Sequence, residues 1–278
     1  MASHQKLFLH DHPVSSYAQK VRIALREKGI EYDSATPKGL GSGQGYEAGF
    51  KAANPRLEVP ALEDGDLKLF DSPIIIGYLE EKFPEKPLLP KDPAARANAK
   101  MIEQVCDTQY EAINWGMGEI GWFGRAEGEL KQKLVAQAKH QTQQIQKWLA
   151  ERLGSKDYFN GDSFGYADVA VAPYYNRSVH NSMGAPDGSP LQRWHARICE
   201  RPAVKQTFDE MAAAAGRMSG LGEALKAGNF KREYRDHRLE WLVKSGGIDV
   251  VLDGLKNNNI RFSWPEPSHT AATERSAL

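Results

Sequence analysis

Residues 54–72 read NPRLEVPALEDGDLKLFDS and carry most of the information about the fold. In this stretch Val59-Pro60 stands directly before the apolar pair Ala61-Leu62. Because proline cannot donate a hydrogen bond to a strand ladder, this position does not suit the interior of a central strand. We predict a cis peptide bond there, in a tight turn that directs the backbone groups of Val59 towards a ligand.

The same stretch continues into a turn and a helix start. Asp64-Gly65 predicts a tight turn between two strands. Asp71-Ser72-Pro73 predicts a helix that begins with a capping side chain and a proline in its first turn. Since helix N-termini bind anions, the stretch predicts two neighbouring ligand-binding devices, one for a peptide backbone and one for a carboxylate. The alternative is an ordinary β-hairpin with a capped helix behind it.

The flanking segments predict a small α/β unit. Residues 7–10 read as a short strand, and residues 17–28 place their apolar side chains on one face of a helix that Gly29 ends. Residues 30–32 predict a brief second strand, and residues 74–83 continue the capped helix. The predicted order is β-α-β followed by β-β-α, with a right-handed crossover, as a thioredoxin-like domain requires.

Beyond a linker at residues 84–92, which is rich in proline and lysine, the pattern is almost wholly helical. Long helices are predicted at residues 94–115 and 127–153. Five apolar residues of the second helix are expected in the core: Leu130, Leu134, Ala138, Ile145 and Leu149.

Composition restricts the classes of function. The 278 residues contain 36 lysines and arginines against 36 aspartates and glutamates, so charge gives no reason to expect nucleic acid or an anionic membrane as a partner. No apolar run approaches the roughly 18 residues of a membrane span, and no signal peptide precedes the first strand. Cys106 and Cys199 do not make a disulfide framework, and no histidines and cysteines have the spacing of a metal site. We therefore expect a cytoplasmic protein without a bound metal.

Taken together, the motifs of residues 54–72 resemble those of cytosolic glutathione transferases. In that family the residue before the cis-proline pairs with the cysteinyl backbone of glutathione, and an acidic-Ser pair holds the γ-glutamyl end. The resemblance assigns the first role to Val59 with Pro60 and the second to Asp71 with Ser72. Glutathione is therefore the expected cofactor.

Two further segments carry the resemblance into the helical half. Residues 160–168 resemble the family's capping box at the start of a buried helix, with Asp168 present and Gly165 in place of the usual serine or threonine. Glycine is a tolerated capping residue, so we expect this helix to form. Residues 194–205 resemble a late helix pair of the same domain.

The resemblance covers about residues 5–215 and implies two domains. An α/β thioredoxin-like domain is expected at residues 5–86, followed by an all-α helical bundle at residues 93–225. Residues 226–278 form an extension, which we expect to fold back on the body as helices and to end in a disordered tail from Pro265. The alternative is that Trp241 or Trp264 lines an acceptor pocket or a partner surface.

A glutathione enzyme must supply thiolate, and a free thiol with a pKa of about 8.5 is mostly protonated at neutral pH. Residues 15–22, SSYAQKVR, resemble the serine motifs of the tau and zeta classes, and also the omega motif with serine in place of cysteine. The resemblance makes Ser15 the thiolate donor and Ser16 the second candidate, while Tyr17 is expected in the core. The alternative for Ser15 is a plain helix cap, because capping and thiolate donation compete for one hydroxyl.

One position departs from the family pattern. Many relatives carry a cation or glutamine before the Val-Pro pair, where it contacts the glycyl end of glutathione, and this chain has Glu58. Either Glu58 points away from the ligand, or Lys38, Lys51 or Arg56 provides the positive charge.

The acceptor site of the family lies between the domains. Here Trp115, Met117 and Trp122, with Phe123, are expected to form its apolar wall; the alternative is that they belong to the core. The resemblance therefore implies a homodimeric enzyme that conjugates glutathione to a small apolar electrophile, or uses it in isomerisation or elimination. With its C-terminal extension the chain also resembles fungal or bacterial relatives, and this resemblance allows a biosynthetic role. A non-catalytic binding or regulatory protein of the same fold is the alternative.

Overall fold

The computed structural model describes residues 6–40, 45–218, 220–229, 232 and 236–268. Its sheet has four strands in the order β2-β1-β3-β4. The strands are β1 (Leu7–His10), β2 (Tyr32–Ala35), β3 (Ala61–Asp64) and β4 (Leu67–Phe70). β1 and β2 are parallel, and the other two pairings are antiparallel. The predicted thioredoxin-like arrangement is confirmed, although the second strand begins at Tyr32 and not at Ile30.

Among the described residues, three helices complete this domain: α1 (Ser16–Lys28), α2 (Ala48–Ala53) and α3 (Ser72–Lys82). α1 ends at Gly29, which adopts a left-handed φ of 70° that favours glycine. α1 and α3 pack together through buried aliphatic residues. The core of the domain includes Leu9, Val21, Leu25, Leu62, Ile75 and Leu79.

The remainder of the body is helical, as predicted. Its helices are α4 (Pro93–Val105), α5 (Glu111–Gly121), α6 (Gly128–Leu153), α7 (Tyr166–His180), α8 (Pro190–Cys199) and α9 (Pro202–Ala215). The single helix expected at residues 94–115 is instead two helices joined by a wider π-helical turn, Cys106–Tyr110. The hydroxyl of Tyr17 in α1 donates to the Asp107 carbonyl of that turn at 2.6 Å. The irregular turn therefore contacts the helix that carries Ser15 at its N-terminus.

The predicted core of α6 is only partly correct. Ile145 and Leu149 are fully buried, whereas Leu130 and Leu134 are 56% and 41% exposed. Residues 128–134 are exposed on every side of the helix. The apolar spacing therefore identified one apolar face of α6. Within the described chain, however, no other segment covers the first two turns of that face.

Gly165 precedes α7, and the structure gives a steric reason for glycine there. A Cβ atom at this position would lie 2.5 to 2.8 Å from side-chain atoms of Asn160. The Asp168 carboxylate accepts the Gly165 N–H at 3.0 Å, the Phe159 N–H at 2.9 Å and the Trp194 indole N–H at 2.8 Å. The capping aspartate therefore secures the helix start without a capping side chain at residue 165.

Helix α10 (Leu221–Lys226) leads into the extension, which contains α11 (His237–Lys244) and α12 (Ile248–Lys256). Its final described segment, residues 264–268, lies along α6. Gln144 pairs with the N–H and carbonyl of Glu266, and Gln137 accepts the N–H of Ser268. Glu266 and Ser268 therefore contact α6 through their backbone, whereas the disorder expected from Pro265 stays a prediction, of which residues 269–278 lie outside the described residues.

Candidate active site

Ser15 lies at the N-terminus of α1, next to the loop before β3. Its hydroxyl oxygen accepts the N–H of Ala18 at 3.3 Å and caps the helix. The same hydroxyl donates towards the carbonyl of Val59 at 3.5 Å, a long contact. The two residues that the sequence analysis placed at the cysteinyl end of glutathione are therefore neighbours in space.

Ser16 is placed differently from Ser15. Ser15 is half-buried, whereas Ser16 is completely buried in the first turn of α1. The structure therefore separates the paired serines of the motif into one hydroxyl beside the Val59 turn and one in the protein interior.

The Val59-Pro60 peptide bond is cis, as predicted. The loop before it is held by Asn54, which the sequence analysis missed. The Asn54 amide accepts the N–H of Arg56 and donates to the carbonyl of Glu58, each at 2.9 Å. An asparagine before a proline is a turn-forming pattern that could have identified it.

Asp71 and Ser72 lie at the start of α3. Asp71 is the capping residue by backbone position, with a left-handed φ of 71°, but its side chain makes no capping bond. Ser72 is buried, and its hydroxyl has no hydrogen-bond partner among the described residues. A buried hydroxyl without a partner is unfavourable, so this atom suits a ligand group that binds at the helix N-terminus.

The negative charge of Glu58 is compensated within the site. One terminal nitrogen of Arg56 lies 2.9 Å from a Glu58 carboxylate oxygen and also contacts the Asp71 carboxylate. The Arg56 guanidinium packs over the Phe70 ring at 5.1 Å. Of the three cations considered in the sequence analysis, Arg56 is therefore the one placed between Glu58 and Asp71, while Lys38 lies 3.5 Å from Glu47.

Arg177 of α7 connects the Ser15 loop with the predicted acceptor wall. Its guanidinium donates to the carbonyl of Val14 and packs over the Trp122 ring at 5.1 Å. Burial lowers the pKa of Arg177, and the nearby Glu111 opposes this shift. No sequence motif marked Arg177, because its role depends on contacts between two domains.

A buried ion cluster lies next to these residues. The ammonium group of Lys20 donates to Glu103 at 2.8 Å and to Asp107 at 2.7 Å. Burial alone would lower the pKa of Lys20, but the two carboxylates reverse the effect and raise it. The hydroxyls of Tyr166 and Tyr174 donate to Glu103 and Asp107 respectively. The cluster therefore ties α1 to the helical domain.

The predicted acceptor residues face different neighbours. Trp122 contacts Arg177, whereas Trp115 lies 5.7 Å from the guanidinium of Arg232 in the extension. Met117 is half-buried on α5. Phe123 is buried and lies 3.8 Å from the same Arg232 group. The structure therefore joins Trp115 and Phe123 through an extension residue that the sequence analysis did not identify.

Cys199 and His195 lie close together but do not form a nucleophilic site. Cys199 lies 3.6 Å from His195, which in turn lies 3.1 Å from Asn176. Burial raises the pKa of Cys199 to about 11 and lowers the pKa of His195 to about 4. At neutral pH both groups are therefore uncharged, and the pair does not supply a thiolate.

The described residues offer neither a metal site nor a membrane-spanning helix. No three or more histidine, cysteine or acidic side chains are grouped so that they could hold a metal ion. Among the helices of the described segments, none combines the length and apolar character needed to span a membrane.

Comparisons with known proteins identify both halves of the chain. The model of the glutathione S-transferase N-terminal domain matches residues 9–87, and the model of the C-terminal domain matches residues 102–202. Glutathione S-transferase 1 of Dianthus caryophyllus is 32% identical over 179 residues, which are 63% of this chain and 78% of that protein.

Two other relatives differ in the extent of the match. Glutathione S-transferase Z1 of Arabidopsis thaliana is 48% identical over 93 residues, but the match spans only 34% of this chain and 42% of that protein. A stringent starvation protein A homolog of Coxiella burnetii is 27% identical over 218 residues, which are 77% of this chain and 96% of that protein.

Solved structures agree on the fold. Rice GST1, determined in complex with glutathione, is 25% identical, with a TM-score of 0.62 over 78% of this chain and 98% of that chain. The tau-class MiGSTU from mango gives a TM-score of 0.63 at 24% identity, over 81% of this chain and 99% of that chain.

Proposed function

The chain belongs to the glutathione S-transferase family, and we propose that Ser15 stabilises the glutathione thiolate for attack on a small electrophilic organic substrate. The observation that carries this proposal is the 3.5 Å contact between the Ser15 hydroxyl and the Val59 carbonyl. In the family, the residue before the cis-proline pairs with the cysteinyl backbone. That pairing would bring the cysteinyl sulfur near Ser15.

Helix capping and thiolate donation need not compete at Ser15. Capping uses a lone pair of the hydroxyl oxygen, which accepts the Ala18 N–H. Donation uses the hydroxyl proton, which is now directed at Val59 through a long and weak contact. Turning this proton towards a sulfur atom therefore breaks only the weak contact with Val59, and the hydrogen bond that caps the helix remains.

The other site residues fit the two ends of the tripeptide. The unpartnered Ser72 hydroxyl and the N-terminus of α3 suit the γ-glutamyl carboxylate, and the Asp71 carboxylate suits the ammonium group beside it. Arg56 supplies a cation at the turn that precedes Val59. Val59 would pair with the cysteinyl backbone.

The expected rate effect is limited. A hydrogen bond to a charged group is worth about 1.5–3 kcal/mol, which lowers the thiol pKa by roughly one to two units. The N-terminus of α1 adds to the effect. Because the thiolate fraction cannot exceed one, the gain near neutral pH is at most about thirty-fold. Larger acceleration must come from positioning the electrophile.

The proposed reaction begins when bound glutathione loses its thiol proton to solvent. The sulfur then forms a bond to an electrophilic carbon, and either a leaving group departs with its electron pair or the electrons move into an adjacent π system. Isomerisation or elimination through a transient thioether would use the same thiolate. The 48% identity to transferase Z1 extends over only 93 residues, 34% of this chain, and does not choose among these reactions.

A non-catalytic binding or regulatory protein is the second candidate. Two observations favour it: the stringent starvation protein A homolog, which is matched over 96% of its length, is not named as a transferase, and Arg56 already occupies the Asp71 carboxylate. Such a protein would lack turnover with every electrophile.

Replacement of Ser15 by alanine tests the proposed function. We expect kcat with an activated aryl chloride to fall by roughly tenfold or more, because the thiolate loses its donor. Ser189→Ala is the matched control, since Ser189 caps α8 by accepting the Gln192 N–H at the same 3.3 Å. Equal kinetics in both variants would remove Ser15 from the reaction, and absence of turnover in the unmodified protein would favour the second candidate.

We also propose that the protein is a cytoplasmic homodimer. Its exposed apolar residues include Ile74 of the first domain and Met101, Leu130 and Leu134 of the second. A second copy could cover such residues, and both cysteines are free, which suits a reducing compartment. Sedimentation at several protein concentrations would measure the oligomeric state.

A further inference from the structure

The C-terminal extension contacts the predicted acceptor wall through Arg232. Its guanidinium donates two hydrogen bonds to a single oxygen of Glu119, Oε1, with the Nε contact at 2.8 Å. The group also packs 3.8 Å from the centre of the Phe123 ring and 5.7 Å from the Trp115 ring. Gly222 of α10, the helix that leads into the extension, packs closely too, since a Cβ there would lie 3.3 Å from the Phe123 carbonyl oxygen.

The residues that Arg232 contacts lie in one row along α5 and just past its C-terminal end. Trp115 and Glu119 are four residues apart and lie on the same side of the helix, and Phe123 follows four residues later, just beyond the helix end. Trp122, next to Phe123, contacts Arg177, which holds the Val14 carbonyl beside Ser15. A continuous series of contacts therefore leads from the Ser15 loop to Glu119.

Glu119 is incompletely paired. An arginine commonly contacts both oxygens of a carboxylate, but here both donors converge on Oε1. The other oxygen, Oε2, is buried and accepts no hydrogen bond from the described residues, although the Glu119 side chain is only 7% exposed. A buried carboxylate oxygen in this condition suits a ligand that brings its own donor.

We propose that Glu119 and Arg232 form the polar end of the acceptor site, and that Glu119 Oε2 accepts a hydroxyl or N–H group of the second substrate. This inference rests on the proposed function. It changes the substrate class from a purely apolar electrophile to an amphipathic one. The apolar body would lie against Trp115 and Phe123, with the donor group at Glu119.

Binding of two glutathione conjugates tests this site without requiring turnover. The probes are S-(4-hydroxybenzyl)glutathione and S-(4-methylbenzyl)glutathione, which differ only in the donor, and affinities are measured by calorimetry. We expect the hydroxyl conjugate to bind roughly tenfold more tightly to the unmodified protein, as a hydrogen bond to a charged acceptor allows. Glu119→Gln should reduce this preference to about threefold or less, with unchanged affinity for glutathione itself.

Two further variants separate a specific role from a structural one. Arg232→Met removes part of the wall and should weaken both conjugates equally, so the preference should remain. Lys226→Met removes another anchor of the extension, the 3.4 Å contact with Glu127, and should change neither conjugate. Circular dichroism would verify that each variant is folded.

Several results would overturn the proposal. It is wrong if the unmodified protein shows no preference, if Glu119→Gln retains the preference, or if Arg232→Met or Lys226→Met abolishes it as fully as Glu119→Gln does. It is also wrong if glutathione binds but neither conjugate does. Failure of glutathione itself to bind would instead contradict the proposed function, and this inference would fall with it.

Discussion

At the scale of single residues, the arrangement around Arg56 decides the charge that a ligand meets. Arg56 lies between two carboxylates, those of Glu58 and Asp71. Glutathione carries two carboxylates and one ammonium group at neutral pH, so its net charge is negative. Arg56 therefore offsets a repulsion that Glu58 would otherwise exert at the Val59 turn.

Replacement of Arg56 by methionine tests this interpretation. Removal of the cation should raise the Kd for glutathione by roughly fivefold, since a unit charge close to a partly exposed site changes binding by about that factor. Calorimetry at low and high salt measures the effect, which should decrease as salt increases.

A double variant separates the effect of the Arg56 charge from the effect of its packing. If the loss comes from the uncovered Glu58 charge, Arg56→Met combined with Glu58→Gln should recover most of the affinity. Recovery would support a charge effect, whereas an equally weak double variant would mean that Arg56 acts through its packing on Phe70.

At the scale of elements, α1 owes its position to buried ionic contacts with the helical domain. Lys20 is wholly buried between Glu103 and Asp107, while Tyr17 donates to the π-helical turn. Removal of one member of such a cluster leaves buried charges without compensation. The cluster therefore contributes to the stability of the helix that carries Ser15.

Lys20→Met should lower the free energy of unfolding by about 3–5 kcal/mol, because Glu103 and Asp107 would remain buried without their cation. Urea denaturation measures the change. Lys205→Met is the control: Lys205 pairs with Asp209 at a similar 2.7 Å, but both side chains are exposed, and we expect no measurable shift of the midpoint. Equal shifts in the two variants would contradict a specific role of the buried cluster.

Local sequence patterns predicted most of the elements but not their irregularities. The cis-proline turn and the position at which α3 starts follow from residues adjacent in sequence and agree with the structure, although the predicted capping bond of the Asp71 side chain is not formed. The apolar spacing of Leu130 and Leu134 identified a face, but spacing carries no information about which surface covers it. The π-helical turn was missed because its contacts with Tyr17 join distant parts of the chain.

The residues of the candidate site also divide into those that a sequence motif marks and those that only contacts in three dimensions reveal. Ser15, Val59, Asp71 and Ser72 were selected from family motifs, and their chemical roles remain predictions. Arg56 was one of three cations predicted to provide the positive charge, but its contact with two carboxylates depends on how two loops meet. Arg177, Glu119 and Arg232 belong to no motif, so their contacts became visible only in three dimensions.

At the scale of the whole molecule, α1 joins the two domains through charged pairs in its C-terminal half. Arg22 and Arg26 each donate to Glu210 of α9 at 2.6 Å, and Glu27 accepts from Arg201 at 2.7 Å. The geometry at Ser15 therefore depends on the packing of both domains.

The end of the extension is attached to the same body. Residues 264–268 lie along α6, and the side-chain amides of Gln137 and Gln144 form hydrogen bonds with the backbone of this segment. Trp264 lies 6.0 Å from Trp148. Each amide pair is worth about 1 kcal/mol. Attachment of this segment should therefore depend strongly on the two glutamines.

Gln137→Ala combined with Gln144→Ala should expose the segment and increase tryptic cleavage after Arg261 by about tenfold, because cleavage follows the population of the open form. Mass spectrometry of timed digests measures the rate. The matched control combines Gln132→Ala with Gln143→Ala, two exposed glutamines of the same helix. If cleavage accelerates equally in both double variants, the amide pairs do not hold the segment.

The central claim is that Ser15 stabilises a thiolate, and the pKa of bound glutathione tests it most directly. Ultraviolet difference absorbance across a pH series would report this value for the unmodified protein, Ser15→Ala and Ser189→Ala. We expect a pKa roughly one to two units below the free value of about 8.5 in the unmodified protein and in Ser189→Ala, and a return close to the free value in Ser15→Ala. An equally lowered pKa in Ser15→Ala would contradict the claim.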